Sequence, residues 1–312
     1  MGGLRFDDRV VVVTGAGRNL GREYALELAA RGAKVVVNDL GVAISDTDGV
    51  GDAPARNPAV EVVEEIWDLG GEAVVNLDSV ATADGGAAIV RTALDEWGRI
   101  DALINNAGVV RQAPMAEHGP EVWEPVLASQ LGGHLNVTRP AWAAMAAQGG
   151  GRILNVSSGA GLWGVAGMAS YATSKMGVVG LTRALALEGA PLGITVNVIA
   201  PSAKTRSGGF GPIPASPRLH EWMSVDQVAA LAVWLVHDDC TTTGECFSVG
   251  AGYIGRVAIA VNDGFHGRPL SPESVRDAWS QVMTDGEWTP LPAGSGDIPR
   301  MLEGFDVDGG EV

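Results

Sequence analysis

Short runs rich in β-branched residues alternate along this chain with stretches of helical periodicity, and that alternation most narrows its fold. The runs are "RVVVVTG", "AKVVVNDL", "EAVVNLD", "DALINNAG", "RILNVSS" and "ITVNVIAP", with a further one near "ECFSVG". Each has the length of a strand and little polar alternation, as expected of strands buried on both faces. Between them, segments such as "REYALELAARG" and "AAIVRTALDEWG" repeat apolar residues at helical spacing and close on a glycine. This pattern predicts an α/β protein, a doubly wound sheet of about seven parallel strands with helices on both faces.

Three stretches interrupt the alternation. "GVAISDTDGVGDAPARNP" follows the second run, and "PSAKTRSGGFGPIPASPR" follows the sixth. Beyond Arg256 a tail offers one helix, with Ser271 as N-cap and Pro272 at the first helical position, and then the extended "GEWTPLPAGSGDIPR". The expected organisation is therefore a single domain over 1–256 and a C-terminal extension over 257–312.

The glycine pattern gives the first functional signal. In "VVVTGAGRNLGREYA" a strand runs into a helix through Gly15, Gly17 and Gly21, the layout of a turn that cradles a pyrophosphate. Backbone amides at the helix start, from Arg18, Asn19 and Leu20, then face the phosphates. Asn19 stands where such turns often carry glycine, and Asn adopts left-handed backbone more readily than most residues. Asp39 closes the next strand 18 residues beyond Gly21. A carboxylate there accepts hydrogen bonds from an adenosine ribose and repels a 2′-phosphate. Arg18 pulls the other way, because a guanidinium pairs with such a phosphate. NAD is the expected cofactor.

A second group of residues supplies chemistry. "SYATSKMGV" sets Tyr171 and Lys175 four apart, on one face of a helix, and "NVSSGAG" offers Ser158 at the end of a strand. With "NNAG" at Asn105–Gly108 and the glycine turn, these motifs occur in an order that resembles the short-chain dehydrogenases/reductases over roughly Phe6 to Gly255. "VVVNDLG", "VVEEIWDLGGEAVVNLDSV" and "LAVWLVHDDC" are similar to the (3R)-hydroxyacyl-CoA, or hydroxysteroid, dehydrogenase domain of peroxisomal multifunctional enzymes.

The resemblance implies a Rossmann-type domain that oxidises a secondary alcohol with NAD. Tyr171 would be the general base, Lys175 would lower its pKa and grip the nicotinamide ribose, and Ser158 would donate to the substrate oxygen. Asp78 and Ser79, followed by Val80, would meet the adenine. Asn106, Ala107 and Gly108 would lie against the adenosine ribose, and the segment holding Pro201, Ala203 and Thr205 would cover the nicotinamide. Gln130 falls where the family usually has an Asn that holds a relay water, and Ser202 falls where it has a Gly. Leu162, Trp163, Val165 and Met168 are candidates for an apolar substrate wall, or else ordinary core. An NADPH-dependent ketoacyl reductase and a nucleotide-sensing scaffold without turnover are the other readings. Relatives are commonly dimers or tetramers, and "LNVTRPAWAAMAAQ" offers an apolar face for a homo-oligomer.

Composition sets the remaining bounds. A formal charge of −16 argues against nucleic acid or an anionic membrane as partner. No apolar run approaches the roughly 18 residues of a spanning helix, and no metal ligand set is assigned. "MGGLRFDDRV" has no signal core, "GGEV" is no peroxisomal address, and Cys240 and Cys246 are the only cysteines. These features predict a soluble cytoplasmic protein.

Overall fold

The computed structural model describes residues 3–41, 56–203, 222–267, 269–294, 296 and 301. Two compact units are present, Met1–Arg256 and Val257–Val312. In the first, the strands β1 (Val10–Thr14), β2 (Lys34–Asn38), β3 (Glu72–Asn76), β4 (Ala102–Asn105), β5 (Gly151–Val156), β6 (Ile194–Pro201) and β7 (Cys246–Gly250) pair in parallel, in the order 3-2-1-4-5-6-7. An eighth strand, β8 (Tyr253–Val257), lies beside β7. A two-residue link, Ala251 and Gly252, both at positive φ, joins the pair. So short a link connects antiparallel strands only, because parallel ones need a long crossover.

The strands are buried on both faces, and β1 shows why its sequence is a run of valines. Val11 and Val13 pack into one core with Tyr24 and Leu28 of α1 (Asn19–Ala30) and Val62 and Ile66 of α2 (Pro58–Asp68). Val10 and Val12 point the other way, into a core with Ile89 of α3 (Ala83–Trp97) and with Val137 and Met145 further along the chain. All four valines are fully buried, each contributing about 1.5–3 kcal/mol. The two-residue side-chain period of a strand thus divides one apolar run between two helical layers.

The second layer is completed by α4 (Pro120–Leu127), a π-turn at Ala128–Gly132, and α5 (Gly133–Gln148). Pro125 lies inside α4 and has no N–H to give to the Glu121 carbonyl, which the Arg111 guanidinium takes instead. After β5 come the short α6 (Gly159–Trp163) and the long α7 (Ala169–Gly189). Helix α8 (Asp226–Leu235) precedes β7 and packs against α1.

In the second unit α9 (Pro272–Val282) starts at Ser271 with a capping box to Ser274. Two residues of the expected extended arm, Thr289–Pro290, form β10, which pairs antiparallel with β9 (Ala260–Val261). Most of both glycine-rich loops, and Thr205 with them, lies outside the described residues.

Candidate active site

The strand order reverses between β1 and β4, and the carboxyl ends of these strands carry the site, as open α/β sheets dictate. Thr14 ends β1 and fastens the crevice: its Oγ accepts from the N–H groups of Asn106 and Ala107 at 3.0 and 3.1 Å. Asn106 Nδ2 donates in turn to the Thr14 and Gly15 carbonyls at 2.9 and 3.1 Å.

The turn is as tight as its glycines allow. Gly15 has φ +64, and a Cβ there would lie 2.8 Å from Ala107 Cα. At Gly21 a Cβ would lie 2.1 Å from the Gly15 carbonyl oxygen. Asn19 opens α1 at φ 48, so the residue in place of glycine does take left-handed backbone. Gly17 is the exception in this turn. It is not on the cavity wall; its N–H donates to Asp39 Oδ2 at 3.0 Å. The other oxygen of Asp39 accepts from Gly41 N–H at 2.8 Å.

A cavity of about 600 Å³ runs from this turn to the catalytic candidates. Arg18, Asn19, Leu20 and Asp39 line it, and so do Asp78 and Ser79. A polar chain fixes Asp78: Asn38 Nδ2 donates to Asn76 Oδ1 at 2.8 Å and to the Asp78 carbonyl at 2.9 Å, while Asn76 Nδ2 donates to Asp78 Oδ2 at 2.8 Å. The middle of the wall comes from Asn106, Ala107, Gly108 and Gln130, and Pro201 and Ala203 cover the far side.

Ser158, Tyr171 and Lys175 come together at the other end of the cavity. Ser158 follows β5 and caps α6, accepting from Ala160 N–H at 3.2 Å, and it acts on the Tyr171 phenol, whose pKa it lowers. Burial raises the Tyr171 pKa, and the Ser158 hydrogen bond opposes that shift. Lys175 is buried and its pKa is pushed down to about 7. Its ammonium donates to the Val156 carbonyl at 2.5 Å and lies 5.6 Å from the centre of the Tyr171 ring. Of the two effects on Tyr171, desolvation is the larger.

Gln130 sits in the π-turn, a feature common at functional sites. Its Nε2 donates to the Val109 carbonyl at 3.0 Å, and its Oε1 is buried without a partner among the described residues. The apolar wall differs from the one expected. Val165 and Met168 line the cavity, while Leu162 and Trp163 do not, and Trp163 is 71% exposed. Val109, Val110 and Gln112, on the loop after β4, complete that side and were not read from the sequence. Their only signal was position, just beyond "NNAG".

The cavity fits a dinucleotide in chemistry, with the Asp39 carboxylate and the tight amide turn on one side and a Ser–Tyr–Lys group on the other. A parallel sheet carrying such a turn at its reversal point is the architecture of a dinucleotide-dependent oxidoreductase. The chain belongs to the short chain dehydrogenase family, whose model matches residues 9–207; members of this family are oxidoreductases that use NAD(P).

Three relatives place it more closely. Over 98% of its length the chain is 43% identical to peroxisomal multifunctional enzyme type 2 of Mus musculus, and it spans 41% of that longer protein. A 3-oxoacyl-[acyl-carrier-protein] reductase of Synechocystis is 36% identical over 79% of the chain and 97% of the reductase. The crystal structure of a short chain dehydrogenase from Mycobacterium avium superposes with a TM-score of 0.79 at 35% identity, over 94% of this chain and all of that one. Among the described residues no helix is long and apolar enough to cross a membrane.

Proposed function

We propose that this chain is an NAD-dependent dehydrogenase that oxidises a secondary alcohol to a ketone. Its substrate is a (3R)-hydroxyacyl-CoA, or a hydroxysteroid or steroid side-chain hydroxyacyl-CoA. The observation that carries this reading is the single cavity with Asp39 at one end and Ser158, Tyr171 and Lys175 at the other. Tyr171 takes the hydroxyl proton of the alcohol. Ser158 donates a hydrogen bond to the same substrate oxygen as charge develops there. Lys175 moves from the Val156 carbonyl to the nicotinamide ribose and the phenol, where its charge favours the phenolate. When bound, NAD supplies the hydride acceptor. Gln130 holds a relay water with its Oε1, which has no partner among the described residues. Val109, Val110, Val165 and Met168 give the acyl or steroid body an apolar bed.

The described residues of this site all lie within 1–256, which we read as the catalytic domain, with 257–312 as a C-terminal extension. Cys240 and Cys246 are buried free thiols, which fits a reducing, cytosolic setting.

The test is turnover of (3R)-hydroxyacyl-CoA, hydroxysteroid and simple secondary alcohols with NAD, read by absorbance. Tyr171→Phe should lose about 10²–10⁴-fold in kcat with dinucleotide affinity unchanged. Retention of more than about a tenth of the rate refutes Tyr171 as the base. One observation favours a second reading, NADPH-dependent reduction of 3-ketoacyl thioesters: Arg18 shares the cavity wall with Asp39. A kcat/KM higher with NADPH than with NADH on such a thioester decides for it.

A further inference from the structure

Helix α7, which carries Tyr171 and Lys175, begins without a local cap. Met168 at its N-cap offers no side-chain acceptor, and the first N–H groups of a helix have no partner within it. The acceptor comes from far upstream in the chain. Ser170 N–H donates to His118 Nε2 at 3.3 Å, and Ser170 Oγ lies 2.8 Å from the same nitrogen. Ser170 is fully buried, so water does not substitute for this partner.

The imidazole is fixed from its other sides. Nδ1 lies 3.2 Å from the Ala113 carbonyl oxygen. A carbonyl only accepts, so Nδ1 carries the hydrogen and Nε2 turns its lone pair to Ser170. Trp123 of α4 meets the ring edge-on, with centroids 6.0 Å apart and planes at 77°. Close by, Ala113 N–H donates to the Gly167 carbonyl at 2.9 Å. The two segments joined in this way are the two apolar walls of the cavity, one holding Val109 and Val110, the other Val165 and Met168.

We propose that His118 is a positioning residue: it caps the helix of the base and clamps the loop after β4 to it, which fixes both the aim of the Tyr171 hydroxyl and the width of the substrate cleft. This inference rests on the reading of Tyr171 as the base. Ser170 immediately precedes Tyr171, so the bond to His118 sets the rotation of the first turn from which the phenol points to Ser158. The arrangement needs a neutral ring with an acceptor at Nε2, which explains a histidine at this position where a hydrophobic residue would only fill space.

Two variants separate the roles. His118→Phe keeps the ring and its contact with Trp123 but has no nitrogen, while His118→Gln restores a side-chain acceptor. Kinetics and amide hydrogen exchange are measured on both and on wild type. His118→Phe should bind the dinucleotide as wild type does, lose about tenfold in kcat as a misaimed base would, raise KM for the alcohol, and exchange the Ser170 amide faster. His118→Gln should recover most of kcat. Wild-type kcat in His118→Phe, or equal losses in both variants, overturns the proposal. A Ser170 amide that exchanges in wild type as freely as an uncapped first-turn amide overturns it too, whether or not the variants fold. Failure of the base assignment is seen separately, as activity retained in Tyr171→Phe, and leaves the exchange result to judge the clamp.

Discussion

Asp39 serves the fold with both carboxylate oxygens, taking the N–H groups of Gly17 and Gly41, and the same charge faces the cavity. Removing it in Asp39→Ala deletes charge-assisted acceptors for the ribose and the repulsion of a 2′-phosphate. Hydrogen bonds of that kind are worth roughly 1.5–3 kcal/mol, so kcat/KM with NAD should fall about 10- to 100-fold. With NADP it should hold or rise, helped by Arg18. Kinetics with both cofactors check this, and an unchanged preference refutes the role given to Asp39. His134 makes a different prediction. It is buried, and desolvation together with the nearby Lys175 pushes its pKa from 6.5 down to about 3. Between those values the unfolded chain binds a proton that the folded one refuses, so stability rises with pH there and is lost on acidification. The slope for one such group is about 1.4 kcal/mol per pH unit. His134→Leu should flatten urea-unfolding stability by about that slope between pH 3 and 6.5, relative to wild type.

At the scale of elements, the approach of α1 to the strand end is the tightest fit in the site. A methyl group at Gly21 meets the Gly15 carbonyl at 2.1 Å and Asn106 Nδ2 at 2.6 Å. Neither group has room to yield without opening the crevice. Gly21→Ala should therefore cost about 1–3 kcal/mol of stability and raise the dissociation constant for the dinucleotide, both measurable by thermal unfolding with and without cofactor. The same compactness explains what the sequence made legible. Strands buried on both faces must be apolar throughout, so β1 to β7 stand out as runs. The turn and Asp39 stand out because backbone geometry fixes their spacing. Strand β8 did not, since it is an edge strand with Tyr253 and Ile254 exposed. Neither did the π-turn that presents Gln130, which follows the backbone partner lost at Pro125. The substrate wall was only half legible, for its side chains hang from a loop and a short helix and follow no period. That is why Val109 and Val110 went unread, and why Leu162 and Trp163, candidates for the wall or for ordinary core, could not be told apart from Val165 and Met168, which do line it.

At the scale of the whole molecule, α7 has two faces. One packs into the domain through Ser174, Lys175, Val178, Thr182 and Ala186. The opposite face shows Thr173, Met176, Gly180, Ala184 and Leu187 to solvent, an uncharged helical stripe with the exposed Glu188 at its C-terminal edge. Gly180 has open space around the position of a Cβ, and small residues flanked by apolar ones let a second helix approach closely. Helix α5 exposes Leu135, Ala143 and Ala147 on one face, with Arg139 between them. Exposed single hydrophobics are ordinary, whereas stripes of them mark association surfaces. A chain with a formal charge of −16 resists random aggregation, so the association expected is specific and symmetric. The prediction is a homo-oligomer, most simply a tetramer built from α5 and α7 contacts. Light scattering at micromolar concentration should give a multiple of the 32.1 kDa chain mass. Leu187→Glu together with Gly180→Arg places charge on the stripe without touching the buried face, and should yield smaller species with an unchanged circular dichroism spectrum. A wild-type mass equal to one chain, or a double variant that assembles as wild type does, would rule out α7 as the interface.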